Sequence, residues 1–226
     1  MSTPLWGKFG DLYGRKIFFQ GAIVIFLVGS VVAALATSMN VLIVARGIQG
    51  IGAGGLLVGA QAIIGDIVAP KDRGRYVGAF GAMFGIATVG GPLLGGWITD
   101  HASWSWIFWM NVPIGLGALA VTAVVLPNLR KRIDHQVDYA GISLLTIGVG
   151  ALVLYCSLGG ATYAWGSAIE WVFLAIGLVG TVGFVFAERR AVEPILPLRL
   201  FANPTFRIIS LLGFSVGFAM FGAMTF

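Results

Sequence analysis

Residues 17–37 read IFFQGAIVIFLVGSVVAALAT, a run without a charged side chain, with Arg15 and Lys16 just before it and Ser38 just after. About 20 apolar residues is the length of helix that crosses a hydrocarbon core of roughly 30 Å. Comparable runs follow near 41–66, 76–99, 106–126, 139–158, 168–187 and 207–226. Most are apolar all round, and none alternates as the strands of a membrane barrel do. The sequence therefore predicts an all-α polytopic membrane protein with seven spans.

Composition excludes the soluble classes. Of 226 residues, 58% are apolar and 10% charged, against roughly a quarter charged in an ordinary soluble domain. The 34 glycines fall mostly inside the apolar runs, where small residues let helices approach closely. The single cysteine, Cys156, excludes a disulfide or thiolate metal site within the chain and reads as a small packing residue. His101 and His135 fall in connections at opposite membrane faces, so no metal site is expected. No nucleophile–base set, phosphate loop or pair of intramembrane carboxylates is present, so neither an enzyme nor a bound cofactor is expected.

The net charge of +5 does not point to nucleic acid, because its placement has a simpler cause. Every lysine and arginine except Arg46 lies at one end of the spans: Lys8, Arg15 and Lys16; Lys71, Arg73 and Arg75; Arg130, Lys131 and Arg132; Arg189, Arg190, Arg199 and Arg207. The connections around Ser38, Ser103 and Gly160 carry none. The positive-inside rule makes the basic connections cytoplasmic. Trp97, Trp104, Trp106, Trp109, Trp165 and Trp171 read as an aromatic belt at the outer boundary, with Trp6 at the inner one. Asp100 and Glu170 read as interfacial at the outer side, and Asp134 and Asp138 as tempering a basic inner loop.

Three stretches stand out within this frame. From Gly7 the chain reads GKFGDLYGRK, with Asp11 and Arg15 four apart and Gly14 between them; the spacing fits both a charge-paired turn and a solvated one that only sets topology. The second is RGIQGIGAG from Arg46, inside an apolar run. An arginine at a bilayer centre costs roughly 2.5–3.5 kcal/mol, against about 0.3–0.6 returned by each large aliphatic. Snorkelling to the nearby outer end reduces that cost. Arg46, Gln49 and Gly50 share a face by spacing, and Gly50, Gly54, Gly55 and Gly59 are expected to admit a partner helix. The third is GGPLLGG from Gly90, where Pro92 removes a helix hydrogen bond and Gly91, Gly95 and Gly96 loosen the backbone; it predicts a bend, either static or moving.

These stretches resemble, in order and spacing, three signatures of the major facilitator superfamily. GKFGDLYGRK resembles the loop between its second and third helices, matching at Gly7, Asp11, Gly14, Arg15 and Lys16, with Leu12 where arginine is usual. The resemblance implies a cytoplasmic gating latch, joined by the acid at the inner end of the fourth helix, here Asp66. Arg46, Gln49 and Gly50 resemble the fourth-helix motif implicated in proton coupling. Gly91, Pro92, Gly95 and Gly96, with Gly78, resemble the fifth-helix motif of exporters, Ala87 replacing a glycine. SWIFWMNVPIG from Ser105 is similar to the sixth-helix entrance of the fourteen-helix drug–proton antiporters.

The resemblance implies a partial N-terminal bundle at 1–130, two extra helices at 131–190, and an inner loop with the start of a C-terminal bundle at 191–226. The chain thus reads as part of a longer protein, from the end of helix two into helix nine. Implied is a multi-pass bacterial plasma-membrane exporter of amphipathic small molecules, driven by the proton gradient, whose partners are the lipid bilayer, the substrate and protons. An importer or facilitator on the same fold, and a non-transporting truncated membrane protein, are the alternatives. Topology is open to a direct check in a C156A background. An impermeant thiol reagent is expected to label G160C in intact cells and K71C only after permeabilisation; equal labelling of both from outside contradicts the arrangement.

Overall fold

A computed structural model of the chain describes residues 6, 7, 10, 14–126, 138–191, 194 and 196–225, apart from the side chains of 198 and 220–225. Asp11, Leu12, Lys8, Arg130, Lys131, Arg132, Asp134 and His135 lie outside the described residues. Eight α-helices follow in order among those described: α1 Arg15–Ala34, α2 Met39–Ile67, α3 Arg73–His101, α4 Trp106–Trp109, α5 Asn111–Val125, α6 Tyr139–Leu158, α7 Ala168–Arg190 and α8 Pro204–Thr225. A short 3-10 helix, Leu198–Ala202, precedes α8. Six helical stretches, counting Trp106–Val125 as one, are long and apolar enough to cross a membrane, and Pro204–Ala219 is a shorter apolar helix. All seven expected spans are helices.

Local chemistry starts several of them. The Ser38 hydroxyl accepts from the Val41 amide at 3.4 Å and opens α2. Asp138 accepts from the Gly141 amide at 2.9 Å and opens α6. Ser167 accepts from the Glu170 amide at 3.5 Å and opens α7. Each satisfies a donor that the first helical turn leaves without an intrahelical partner. α4 and α5 meet at Met110, whose backbone stays helical and whose amide donates to the Trp106 carbonyl at 3.0 Å. Pro113 lacks an N–H, so the Trp109 carbonyl four residues earlier has no ordinary helical donor.

The chain divides into two units, Met1–His135 and Gln136–Phe226. In the first, α1 is the packing centre and meets α2, α4 and α5. Its buried side includes Ala22, Ile23, Leu27, Gly29, Ser30 and Ala33. Antiparallel α2 crosses it with Ala45, Gln49, Gly52 and Gly55 buried, positions three or four apart on one helical face. The approach is close enough to need glycine. A Cβ at Gly52 would stand 2.4 Å from the Phe26 amide nitrogen and 2.7 Å from the Ala22 carbonyl oxygen, and one at Gly29 2.5 Å from the Gln49 nitrogen. Gly55 and Gly59 pack likewise against Ala22 and Phe19. Gly50, expected on this face, borders open space.

Trp6 also reaches this contact. Its indole N–H donates to the Ile51 carbonyl at 2.7 Å, and its ring lies over Gly55. Ile51 is twelve residues into α2, about 18 Å along the axis at 1.5 Å per residue, so Trp6 does not sit at the boundary where the aromatic pattern placed it. By contrast α3 has only sparse contact with α2 and α4, and no buried residue.

In the second unit α6 and α7 form an antiparallel hairpin through glycine. A Cβ at Gly180 would lie 2.6 Å from the Gly148 Cα, and one at Gly177 2.6 Å from a Leu152 methyl. The connection is compact: the Gly160 amide donates to the Tyr163 carbonyl at 2.8 Å, and Trp165 lies edge-on to Tyr155, ring centroids 5.6 Å apart. Gly160 takes φ 74°, the left-handed region that glycine enters without a Cβ penalty.

Two sequence expectations change here, for Cys156 and His101, and two acidic residues, Glu170 and Asp138, gain a structural detail. Glu170, read as interfacial, is 1% exposed and neither carboxylate oxygen has a hydrogen-bond partner. Cys156, read as a packing residue, is exposed. His101 is not in a loop but in the last turn of α3, its ring stacked on Trp97 at 5.0 Å. Asp138, read as diluting basic charge, caps α6.

Gly52→Leu forces the α1 and α2 backbones apart, an overpacking change of about 1–3 kcal/mol. Thermal unfolding in detergent is expected to show a midpoint lowered by several degrees, whereas Gly47→Leu, which enters open space, leaves it near the parent value. Equal midpoints for the two variants contradict the crossing.

Candidate functional site

Two polar clusters in the first unit hold the sequence candidates, one at each end of α1. At the basic end, Arg15 opens α1 and Asp66 closes α2, and their antiparallel packing brings them together. Arg15 Nε lies 2.7 Å from Asp66 Oδ2, with 30% and 37% of the side chains exposed. That exposure makes it a solvent-screened ion pair, worth under about 1 kcal/mol in ordinary surface cases. Gly14 is buried at φ 105° just ahead of Arg15, a conformation that explains glycine at this place in the motif. Gly7 packs near Val58. Asp11 lies outside the described residues, so the geometry of this cluster is given by Arg15 and Asp66.

Lys16 points elsewhere. Its ammonium donates to the Ala123 carbonyl at 2.6 Å and the Leu126 carbonyl at 2.8 Å. Those carbonyls end α5, where the last turn leaves acceptors without intrahelical donors and the helix dipole favours a cation. Arg73 does the same for α2, donating from Nε to Val68 at 3.1 Å and from Nη2 to Gly65 at 2.5 Å. Basic residues at these connections thus also close helix ends. The sequence reading missed Arg73, although a cation just past a helix C-terminus is a readable signal.

The second cluster lies toward the uncharged end. Arg46 is seven residues into α2, about 10 Å from its start. Its Nη1 donates to Gln49 Oε1 at 2.7 Å, and its Cζ lies 5.8 Å from the centre of the Phe108 ring, within cation–π range. Gln49, 4% exposed, donates from Nε2 to Ser30 Oγ at 3.1 Å. Ser30, fully buried, donates to the Phe108 carbonyl at 3.0 Å and accepts from Asn111 Nδ2 at 3.0 Å. Asn111 Nδ2 also lies 3.4 Å from the Ile107 carbonyl. Sequence reading singled out Arg46 and Gln49 but not Ser30, Phe108 or Asn111. A serine in an apolar run and an asparagine two residues before a proline were the available signals. Gly50 is exposed and faces no neighbour.

The third motif is positioned differently. α3 runs unbroken through Pro92. The Thr99 hydroxyl shares its single hydrogen between the carbonyls of Gly96 at 2.8 Å and Gly95 at 3.1 Å, one turn beyond the proline. A Cβ at Gly91, Gly95 or Gly96 would meet nothing within 4 Å. No group of three or more His, Cys, Asp or Glu that could hold a metal occurs among the described residues.

Comparison with known proteins adds an independent line. The Major Facilitator Superfamily profile matches residues 1–141. An uncharacterised MFS-type transporter of Mycobacterium tuberculosis is 48% identical over 221 residues, covering 97% of this chain and 32% of the relative. Multidrug transporter protein MdtP of Bacillus subtilis is 41% identical over 224 residues, covering 99% and 41%. Multidrug resistance protein 3 of Bacillus subtilis is 40% identical over 217 residues, covering 95% and 42%. The chain spans about a third to two fifths of the length of these curated relatives.

Proposed function

The chain belongs to the Major Facilitator Superfamily, a multi-pass integral membrane family, and we propose that the protein of which it forms the matching part exports drugs or other amphipathic small molecules in exchange for protons by alternating access. Arg46 carries this reading. A permanently charged guanidinium stands in an apolar helix, held by Gln49 rather than left to snorkel freely. Such a cation stabilises a nearby carboxylate; when the two separate, the carboxylate takes up a proton more readily. An arginine controls proton loading in this way without titrating.

The other motifs take complementary roles in the same proposal. Asp11, Arg15 and Asp66, with Gly7 and Gly14 shaping the turn, bias the cytoplasmic gate, and Lys16 ties the gate's first helix to the end of α5. Gly91, Pro92, Gly95 and Gly96 accommodate movement of α3. Gly50 leaves room beside Arg46 and Gln49 for a moving neighbour. α6 and α7 form the extra pair between two bundles of the fourteen-helix branch, the basic connections face the cytoplasm, and the membrane is the bacterial plasma membrane. Relatives named as multidrug transporters support export of small molecules.

The energetics suffice. One proton moving through about 100 mV gains roughly 2.3 kcal/mol, and one pH unit adds about 1.4. Together these sustain a solute gradient of several hundredfold. The test is ethidium efflux driven by an imposed proton gradient in the full-length protein. R46A and D11N are each expected to lower the rate at least roughly tenfold, as loss of a coupling or gating interaction of about 1.4 kcal/mol would. Parental rates in both variants at equal membrane levels contradict these roles.

A further inference from the structure

The polar cluster around Arg46 has a direction that its chemistry forces. Arginine carries only donors, so Arg46 requires the oxygen of the Gln49 amide, which it meets at 2.7 Å. That choice turns the amide nitrogen toward Ser30 Oγ at 3.1 Å. The Ser30 hydroxyl must then accept there, and its single proton goes to the Phe108 carbonyl at 3.0 Å. Its remaining lone pair takes a hydrogen from Asn111 Nδ2 at 3.0 Å. One donor and two acceptor positions are all that a hydroxyl has, so Ser30 is saturated while fully buried.

The outer partners tie this chain of bonds to the α4–α5 junction. Phe108 belongs to α4, Asn111 is the first residue of α5, and Met110 joins them with a helical backbone. Asn111 and Phe108 therefore couple that junction to Ser30 on α1, and Ser30 is coupled through Gln49 to Arg46 on α2. The Phe108 ring, 5.8 Å from the guanidinium, contacts the same cation from the same segment.

We infer that Ser30 and Asn111 are positioning residues for Arg46, which set the place of its guanidinium through Gln49 and link it to the α4–α5 junction. The inference rests on the role proposed above for Arg46. Removing the Ser30 hydroxyl leaves the buried Gln49 amide nitrogen without its acceptor, so the amide is held only through its oxygen and Arg46's partner is less firmly placed. Threonine keeps the hydroxyl and therefore the function.

The experiment is ethidium export by the full-length protein in proteoliposomes under an imposed proton gradient, with rates taken per folded protein. S30A and N111A are each expected to lower the rate roughly three- to tenfold, the range of a buried interhelical hydrogen bond. S30T is expected to restore it to within about twofold, and S30A in an R46K background to add less than about twofold, because coupled residues act non-additively. A parental rate in S30A, or the same loss in both backgrounds, overturns the positioning role while leaving that of Arg46 intact. A parental rate in R46A overturns the underlying reading instead. Where S30A does not reach the membrane folded, N111A in the two backgrounds decides by the same criteria.

Discussion

Where α1 crosses α2, Gly29 lies on the backbone of Gln49 and Gly52 on that of Phe26, at distances that exclude any side chain. In lipid, apolar surface gives helices little reason to associate, and close packing with hydrogen bonding takes over. The glycines supply that packing. Because the two backbones nearly touch, Gln49 cannot point outward, and its amide is delivered to Ser30 at 3.1 Å. The same antiparallel crossing, followed to its other end, brings Arg15 to within 2.7 Å of Asp66. Both polar clusters are thus consequences of one packing contact.

How far this was legible from the sequence depended on the kind of signal. Span length, polarity and the clustering of lysine and arginine are one-dimensional, and every expected span is a helix in the structure. Arg46 and Gln49 were also visible, because charge in an apolar run is costly and three-residue spacing is short-range. Ser30 and Asn111 were not, since they are distant in sequence and meet only after α1, α2 and α5 pack. The burial of Glu170, 1% exposed, was not legible either, because neither charge placement nor periodicity encodes it. Gly52 and Gly29, rather than Gly50, make the tight contact because register along a helix pair is set by both partners.

The basic end shows how one set of residues serves two physical requirements. Positive charge there fits the positive-inside pattern, and Lys16 and Arg73 also close the carbonyl ends of α5 and α2. Such contacts have modest individual energies, since the exposed Arg15–Asp66 pair is screened by solvent. Weak contacts suit the gating role proposed for this end, whereas the buried cluster around Ser30 is better suited to holding a fixed geometry. α3, with its open glycine face, contributes neither contact, which leaves it free of the packing that immobilises α1 and α2.

The central claim is that α1 stands between α2 and α5 and joins them. The most direct measurement is oxidative cross-linking of α1 to α5 in the membrane, in a C156A background. A Cβ at Gly115 would lie 2.4 Å from a Leu27 methyl, so L27C with G115C is expected to form a disulfide readily, seen as a mobility shift that reductant reverses. L27C with V121C, an exposed position on α5, is expected to stay reduced. Failure of the first pair to cross-link, or equal cross-linking of both, would contradict the account.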